Sequence, residues 1–445
     1  MKKYIKLGHK LFPICRSITG NGLRQTLSII KKLLPNLKIL EINSGTKVFD
    51  WVVPPEWNIK DAYVKDKYNK KIIKFKKNNL HLVGYSVPLN KKIRKKEFIS
   101  KLHSLKKQPK AIPYVTSYYK KYWGFCVSHN EKMLFKKKYK KKDTFNIVIN
   151  SSLDANGSMT LGELLIPGES KKEIFLSTYI CHPSMANNEL SGPLVAISLA
   201  KFFLTKKNKK TLRFIFIPET IGSIAYLKFN YNNLKKNVIG GYNLSCLGDD
   251  RQYSFLPTKK GNTLSDKAAK SAFKKLNLKY KKYSFLERGS DERQYNSPGI
   301  DLPIASIMRS KYGTYPEYHT SLDNFKLVTE NGLKGGYNVV KEAIKILMNS
   351  KEKTEYPAKN KIYKKNNIIP KNLILCEPHM GKRGLYPLLS SKENNQFSKN
   401  LMNFLQYADG KNDLLTISKF IKLSLVKTKK IYKNLLKKKV ISNFC

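Results

Sequence analysis

The fold is decided by a stretch that reads Glu173-Ile-Phe-Leu-Ser-Thr-Tyr-Ile-Cys-His182 and continues as Pro-Ser-Met-Ala-Asn-Asn-Glu-Leu-Ser-Gly192. The segment from Glu173 to Ile180 is apolar and β-forming and lacks turn residues, which is typical of a strand buried on both faces. After the polar turn, Leu194–Leu204 is an apolar stretch of helical length. A strand, a turn and a helix in this order predict one unit of an α/β sheet.

The same pattern recurs farther along the chain. Further strands are predicted at Leu212–Ile217, Gly240–Leu247 and Ile304–Met308, and a helix is predicted at Lys267–Leu276. Strands that alternate with helices indicate a mostly parallel sheet with helices on both faces. The predicted fold class is therefore α/β.

Composition divides the chain into further parts. Residues 1–44 carry a helical pattern that we assign to the α/β domain. Residues 45–130 are predicted to be an inserted β-rich domain, because short strand-like pieces, including Lys71–Phe75, alternate with Asn, Gly and Pro. Residues 131–352 are predicted to form the main α/β domain, and the strand-like Phe145–Ile149 is expected at its start.

A separate C-terminal domain is predicted at residues 368–445, after a polar linker at 350–372. Three short helices are expected there, at 401–407, 413–423 and 428–440, followed by a terminal apolar stretch. This arrangement favours a winged-helix fold.

The net charge of the chain is +55, from 86 basic and 31 acidic residues. Such an excess normally indicates a nucleic-acid or anionic-membrane partner. Only nine of the basic residues are arginine, however, and lysine is spread over the whole length. We interpret most of the charge as lysine-rich solvated surface, so a nucleic-acid partner is not favoured. It stays open as an alternative, as does a homo-oligomer. The few arginines are expected where lysine will not serve.

Targeting and cysteine signals favour a cytoplasmic protein. The segment after Met1 has basic residues without an apolar core or a cleavage site, which argues against a secretory signal. The longest apolar runs fall short of a membrane span. The six cysteines are scattered without a CxxC pair, so reduced thiols are expected rather than disulfides or a structural zinc module.

Polar residues that follow the predicted strands suggest a metal site. Ligands gather at the carboxyl ends of parallel strands. His182, Glu219 and Asp249 follow three such strands in turn, and His319 comes later in a loop. Imidazole and carboxylate ligands with one open position suit a catalytic zinc ion. Each of these residues alone has a simpler explanation as a capping or packed loop residue, and it is their combination that favours a metal.

At this level the sequence resembles the zinc aminopeptidase superfamily, which includes the glutaminyl cyclases. It is most similar to a bacterial family of aminopeptidase-like proteins that have an inserted small β domain and a C-terminal winged helix, and that are often associated with surface-polysaccharide gene clusters. The similarity rests on stretches spread over nearly the whole chain, namely Leu11–Gly20, Val48–Ile59, Ile112–Tyr119, Cys181–Gly192, Pro218–Ser223, Arg288–Tyr295, Tyr315–Asp323 and Gly381–Pro387.

The resemblance implies a role for each matching residue. His182 corresponds to the first zinc ligand. The position of the bridging carboxylate is occupied by Asn188, and the adjacent Glu189 is the candidate replacement. Glu219 corresponds to the general base, whereas Thr220 replaces the carboxylate ligand that normally follows it.

The remaining ligand positions follow in the same way. Ser245 stands where the family has an aspartate, with Asp249 as the candidate substitute. His319 corresponds to the last ligand, and Asp323 is expected to orient it. With two carboxylate positions lost and the bridging carboxylate in question, the resemblance favours one zinc ion over two.

The implied activity is zinc-dependent hydrolysis of an amide bond in a small amide- or peptide-like substrate, on the pathway to a polysaccharide. Glu219 would take a proton from the attacking water, and Asp291, Arg293 and Glu317 would contact the substrate, with Asn188 and Asp323 supporting the site. Arg293 either binds a substrate carboxylate or phosphate or forms an ion pair with Asp291 or Glu292. The alternative is a catalytically degraded protein that binds a ligand and acts through its winged helix.

Overall fold

The computed structural model of the chain describes residues 1–351, 368–385 and 396–443. The α-helices in these ranges are α1 (Lys2–Leu11), α2 (Asn21–Leu33), α3 (Lys95–Ser100), α4 (His129–Lys138), α5 (Ser191–Leu204), α6 (Ile221–Asn237), α7 (Leu264–Lys275), α8 (Glu292–Tyr295), α9 (Glu330–Asn349), α10 (Gln396–Tyr407), α11 (Leu414–Ile421) and α12 (Leu425–Lys437). None of these helices is long and apolar enough to cross a membrane.

The strands in the same ranges are β1 (Lys38–Asn43), β2 (Lys47–Val48), β3 (Trp51–Val52), β4 (Glu56–Lys65), β5 (Lys71–Lys74), β6 (Leu89–Arg94), β7 (Leu102–His103), β8 (Phe125–Cys126), β9 (Thr144–Asp154), β10 (Ser158–Ile166), β11 (Ser170–Tyr179), β12 (Lys210–Ile217), β13 (Val238–Leu244), β14 (Ser254–Leu256), β15 (Lys281–Lys282), β16 (Ile304–Met308), β17 (Pro370–Asn372) and β18 (Ile441–Asn443).

The main sheet has the strand order β1-β10-β12-β11-β13-β16-β14-β15. Its centre, from β12 to β16, is parallel, and antiparallel pairings occur toward both edges. The predicted fold class, a mostly parallel sheet, is confirmed at this centre. Because β11 and β12 are parallel neighbours, the residues after them emerge at the same edge of the sheet.

Helices cover both faces of this sheet, as the alternation along β11 shows. Ile174 and Leu176 face the core that contains α1, α2, α5, α7 and α9. Phe175 points the other way, into a second core shared with α6, α8 and the β-rich insert. Each fully buried side chain of this size stabilises the fold by about 1.5–3 kcal/mol.

The β-rich insert is built on a second sheet, of order β5-β4-β9-β6. The strand β9 pairs with both β4 and β6 in antiparallel register. From the sequence, Phe145–Ile149 is expected at the start of the α/β domain. The structure places this segment in β9, within the sheet of the insert. Alternation of buried residues along β9 identifies a strand, but such a pattern does not reveal which strands it pairs with.

The C-terminal unit, residues 368–385 and 396–443, has the three helices α10, α11 and α12 and the strand pair β17–β18. Its own core includes Leu401, Phe404, Ile417, Ile431 and Leu435. The three helices are predicted by the sequence, with bounds shifted by a few residues. The predicted linker at 350–372 lies mostly outside the described residues, and so do the last two residues of the predicted domain.

Candidate active site

His182 and Glu219 follow adjacent parallel strands and meet at one edge of the sheet. The Nε2 atom of His182 is 3.6 Å from the Oε2 atom of Glu219. The two segments are also joined by a hydrogen bond, in which the backbone N–H of Glu219 donates to Cys181 Sγ at 3.2 Å. The Glu219 side chain keeps 21% of its surface exposed, against 5% for His182. Glu219 is therefore the more exposed residue of the pair.

The other nitrogen of His182 is held by Glu189. Nδ1 of His182 lies 2.7 Å from Glu189 Oε2, and the second oxygen of Glu189 is 3.9 Å from Nε of the buried Arg16. Arg16 also donates to the carbonyl of His182 at 3.0 Å. Burial alone would lower the pKa of His182, but its contacts with Cys181 and Glu189 outweigh burial and hold that pKa well above its ordinary value.

His319 lies beside His182, with 5.4 Å between the two ring centroids. Its ring stacks on Tyr318 at 3.9 Å. The insert reaches this place through Tyr114, whose ring lies 5.1 Å from His182 and 5.2 Å from His319. The N–H of Tyr114 donates to the carbonyl of His319 at 3.0 Å. The insert therefore forms one wall of the site.

Asp323 holds the turn that carries Asn188 and Glu189. Its carboxylate accepts the N–H groups of Ala186, Asn187 and Asn188 at 2.6 to 3.2 Å, and the hydroxyl of Tyr315 at 3.0 Å. Burial raises the pKa of Asp323 to about 6 against the opposing effect of these donors. The sequence predicts that Asp323 orients His319; in the structure its carboxylate accepts hydrogen bonds from this turn and from Tyr315.

Asp249 and Glu317 are engaged elsewhere. The buried carboxylate of Asp249 accepts four hydrogen bonds, from Asn187, from the N–H and hydroxyl of Ser310, and from the N–H of Arg251. Both oxygens of Glu317 bind the guanidinium of Arg251, at 2.7 and 2.8 Å. The structure does not bring Asp249 into the group around His182.

Asp291 and Arg293 converge on Thr220, the residue after Glu219. Asp291 Oδ1 accepts the N–H of Thr220 and the hydroxyl of Ser223, both at 2.8 Å. Arg293 donates to the Thr220 hydroxyl at 2.7 Å. Burial and the neighbouring charge of Glu219 raise the pKa of Asp291 to about 8. We refer to His182, Glu219, Asp291, Arg293 and His319 as the candidate pocket.

Four residues that contribute to the site are not predicted from the sequence. Cys181 forms, with His182 and Glu189, a group close enough to share an ion within the described part of the chain. Arg16 and Tyr114 lie inside the stretches that carry the resemblance, and Arg16 is also one of the nine arginines that are expected where lysine will not serve. Glu377 pairs with Arg293 at 3.4 Å, and no sequence pattern marks it.

The donor atoms around His182 are of the types that bind zinc. Zinc binds imidazole nitrogen at about 2.0–2.1 Å, so two histidines on one ion have ring centroids no more than about 6.4 Å apart. His182 and His319 meet this limit. Among the described residues, the buried oxygens Asn188 Oδ1, Glu189 Oε1 and Asp291 Oδ2 have no hydrogen-bond partner. Acceptors of this kind are compatible with a cation.

Comparison with known proteins identifies the family. Residues 5–350 match the family described as "Domain of unknown function (DUF4910)", and residues 368–443 match a winged helix-turn-helix family. The first match covers more than half of the chain. The predicted C-terminal winged helix is thereby confirmed.

Similar proteins agree with these matches. A protein from Clostridium acetobutylicum, named as a polysaccharide biosynthesis protein with aminopeptidase-like domain, is 44% identical over 412 residues, which are 92% of this chain and 89% of that protein. A crystal structure from the same species, named as a peptidase, is 40% identical, with a TM-score of 0.74 over 99% of this chain and 96% of the other.

The fold extends to more distant enzymes. BSAP, a zinc aminopeptidase from Bacillus subtilis, has a TM-score of 0.59 at 12% identity, over 80% of this chain and 95% of that chain. At this identity the likeness shows the fold. The chain thus belongs to the DUF4910 family, whose aminopeptidase-like domain is followed here by a C-terminal winged helix.

Proposed function

We propose that this protein is a zinc-dependent hydrolase that cleaves an amide bond in the candidate pocket. The observation that carries the proposal is the 3.6 Å approach of His182 Nε2 and Glu219 Oε2 at the ends of adjacent parallel strands, with His319 beside them. Two imidazoles and a reachable carboxylate at one sheet edge are the donor types that such hydrolases need.

His182 and His319 would hold the ion. Glu189 supports His182 through its hydrogen bond with Nδ1. This bond fixes the orientation of the imidazole ring and leaves Nε2 for the metal. Glu189 is thus a supporting partner of the histidine in this proposal. When bound, zinc polarises a carbonyl and lowers the pKa of a water molecule.

Glu219 acts as the general base. Its side chain is the more exposed partner of the pair, and its Oε2 atom lies 3.6 Å from His182 Nε2. It would take a proton from the attacking water and return it to the leaving amine. Thr220, fixed by Asp291 and Arg293, keeps the turn that carries Glu219 in place.

The proposed substrate is a small amide- or peptide-like compound on the pathway to a polysaccharide. The aromatic wall of Tyr114 and Tyr318 beside the two histidines limits the space for the acyl group. The link to polysaccharides comes from the name of the relative from C. acetobutylicum.

The test is hydrolysis of aminoacyl-p-nitroanilides by zinc-loaded protein, wild type against Glu219→Gln. Loss of a general base lowers turnover by about 10²–10⁴-fold, and bound zinc should stay constant. The matched control is Glu342→Gln, because Glu342 is also largely buried and ion-paired, with Lys275, but lies in α9. Undiminished turnover by Glu219→Gln would refute the role of Glu219, and loss of zinc would make it a ligand.

A second candidate function is nucleic-acid binding by the C-terminal unit. Residues 414–443 contain nine lysines and no arginine, aspartate or glutamate, and all nine lysines are exposed. A phosphate-binding surface makes duplex affinity fall steeply with salt. Full-length protein and a variant with Lys427, Lys430 and Lys433 changed to Gln would be compared on duplex DNA. Equal affinity of the two would exclude this function for α12.

A further inference from the structure

Glu377 is the point where the three parts of the molecule meet. Its N–H donates to Gln294 Oε1 at 2.9 Å, and Gln294 Nε2 returns a bond to Glu377 Oε2 at 3.0 Å. Its carbonyl accepts the indole N–H of Trp51 at 2.6 Å. Gln294 belongs to the α/β domain and Trp51 to the insert. One residue of the C-terminal unit is thus bonded to both other parts.

The Glu377 carboxylate also pairs with an arginine of the candidate pocket. Its Oε2 atom is 3.4 Å from Nε of Arg293, and the Glu377 side chain is only 4% exposed. Another nitrogen of the same guanidinium donates to the Thr220 hydroxyl at 2.7 Å. Arg293 thus bridges the two residues, with an ion pair to Glu377 through Nε and a hydrogen bond to Thr220 through another nitrogen of the same planar group.

Thr220 needs this support, because its backbone is strained. Its φ is 65°, in the left-handed region that β-branched residues rarely adopt. Such a conformation persists only where neighbours hold it. The N–H of Thr220 is held by Asp291 and its hydroxyl by Arg293. Glu219 is the preceding residue, so this strained turn sets where its carboxylate points.

The C-terminal unit makes further contacts with both other parts of the molecule. Asp50 of the insert binds Lys382 and Arg383 at 2.6 and 2.5 Å. From the α/β domain, Arg288 donates to Asn403 Oδ1 at 2.7 Å. Glu377 therefore belongs to a unit that is bonded to its neighbours at several places.

We propose that Glu377 is a positioning residue of the active site. It holds the guanidinium of Arg293 against Thr220 and thereby sets the direction of Glu219, so the winged-helix unit is a wall of the hydrolase pocket in the same chain. This inference rests on the proposed function, because it names what orients its base. It assigns the C-terminal unit a task in catalysis that requires no nucleic acid.

The test uses full-length zinc-loaded protein in a mutant cycle of Glu377→Gln, Arg293→Gln and the double variant, with Glu342→Gln as control. If Glu377 acts only through Arg293, each single change should lower kcat about tenfold or more and change KM by less than about threefold. The kcat of the double variant should then be no lower than that of Arg293→Gln. The kcat of Arg293→Lys should also stay below that of wild type, because the single nitrogen of lysine cannot contact Glu377 and Thr220 as the planar guanidinium does. Wild-type kcat in Glu377→Gln, or losses that multiply in the double variant, would overturn the proposal.

Amide hydrogen exchange provides a readout that does not depend on turnover. Glu377→Gln should speed exchange in residues 218–224 by about tenfold, or about 1.4 kcal/mol of local opening, while α10–α12 and the control stay as in wild type. Unchanged exchange in residues 218–224 would overturn the positioning role. If wild type cleaves no amide, the proposed function fails by itself, and the exchange result still decides whether Glu377 holds this turn.

Discussion

His182 and Glu219 follow neighbouring parallel strands, and the His182 Nε2 atom lies 3.6 Å from the Glu219 Oε2 atom. The opposite nitrogen of His182 is taken by Glu189 at 2.7 Å. The hydrogen bond of Nδ1 with Glu189 fixes the orientation of the imidazole ring. The arrangement leaves Nε2 of His182 facing the carboxylate of Glu219, as the proposed hydrolysis requires.

Asp249→Asn should destabilise the fold without removing zinc. The carboxylate accepts four hydrogen bonds from the surrounding loops, and an amide can accept on only one of its two atoms. We expect a loss of about 2–3 kcal/mol, measured by urea unfolding, with zinc content as in wild type. Zinc lost at unchanged stability would instead make Asp249 a ligand.

Glu189→Gln should lower both stability and zinc affinity. The change leaves the buried Arg16 without its counter-charge, which costs about 3–5 kcal/mol, and it weakens the hold on His182, which lowers metal affinity about 10–100-fold. Urea unfolding in the presence of a chelator measures the first effect and zinc titration the second. The double change Arg16→Met with Glu189→Gln should regain stability but not zinc. A double variant less stable than Glu189→Gln would contradict the pairing.

Tyr114 should control access to the two histidines. Its ring contacts both imidazoles, and its hydroxyl lies 2.9 Å from the hydroxyl of Tyr118. Tyr114→Phe keeps the ring and should change kcat/KM by less than about threefold, whereas Tyr114→Ala should raise KM about tenfold or more. Steady-state kinetics on aminoacyl anilides measures both. Equal effects of Tyr114→Phe and Tyr114→Ala on KM would show that the Tyr114 ring does not control access to the histidines.

Glu56 should make stability depend on acid pH. Its bonds with Arg24, at 2.5 and 2.6 Å, lower the pKa of Glu56 from 4.5 to about 2. A lowered pKa stabilises the fold fully above pH 4.5, and the contribution is lost as the pH falls toward 2. The stability difference between wild type and Glu56→Gln should thus shrink by about 1–2 kcal/mol between pH 6 and pH 3.

The control for this pH dependence is Glu169→Gln, which removes an exposed carboxylate. Urea unfolding at several pH values would be compared for the three proteins. A wild-type advantage over Glu56→Gln that is the same at pH 3 and pH 6 would contradict the assigned pairing.

The strands and helices of the α/β domain can be predicted because each carries its own pattern. Glu173–Ile180 is apolar on both faces, and the residues after it must emerge at the sheet edge. The sequence therefore suffices to predict that His182 and Glu219 lie together. The partner of a strand cannot be obtained in this way, and for that reason the predicted sheet of β9 is wrong.

Contacts between distant segments are also beyond the reach of sequence patterns. Asp249 follows a strand as Glu219 does, yet its side chain turns to Ser310 and Asn187. Glu377 lies more than eighty residues from Arg293 with no repeat or spacing to connect them. Such pairs arise from how the units pack, which local periodicity does not encode.

The most direct test of the account is the zinc content of purified full-length protein, measured for wild type, His182→Ala and His319→Ala after removal of loosely bound metal. The account predicts about one zinc ion per chain in wild type and a loss of most of it in both variants, since each variant removes one of the imidazoles that would hold the ion. Zinc at the same level in all three proteins, whether near zero or near one, would contradict a metal centre at His182 and His319.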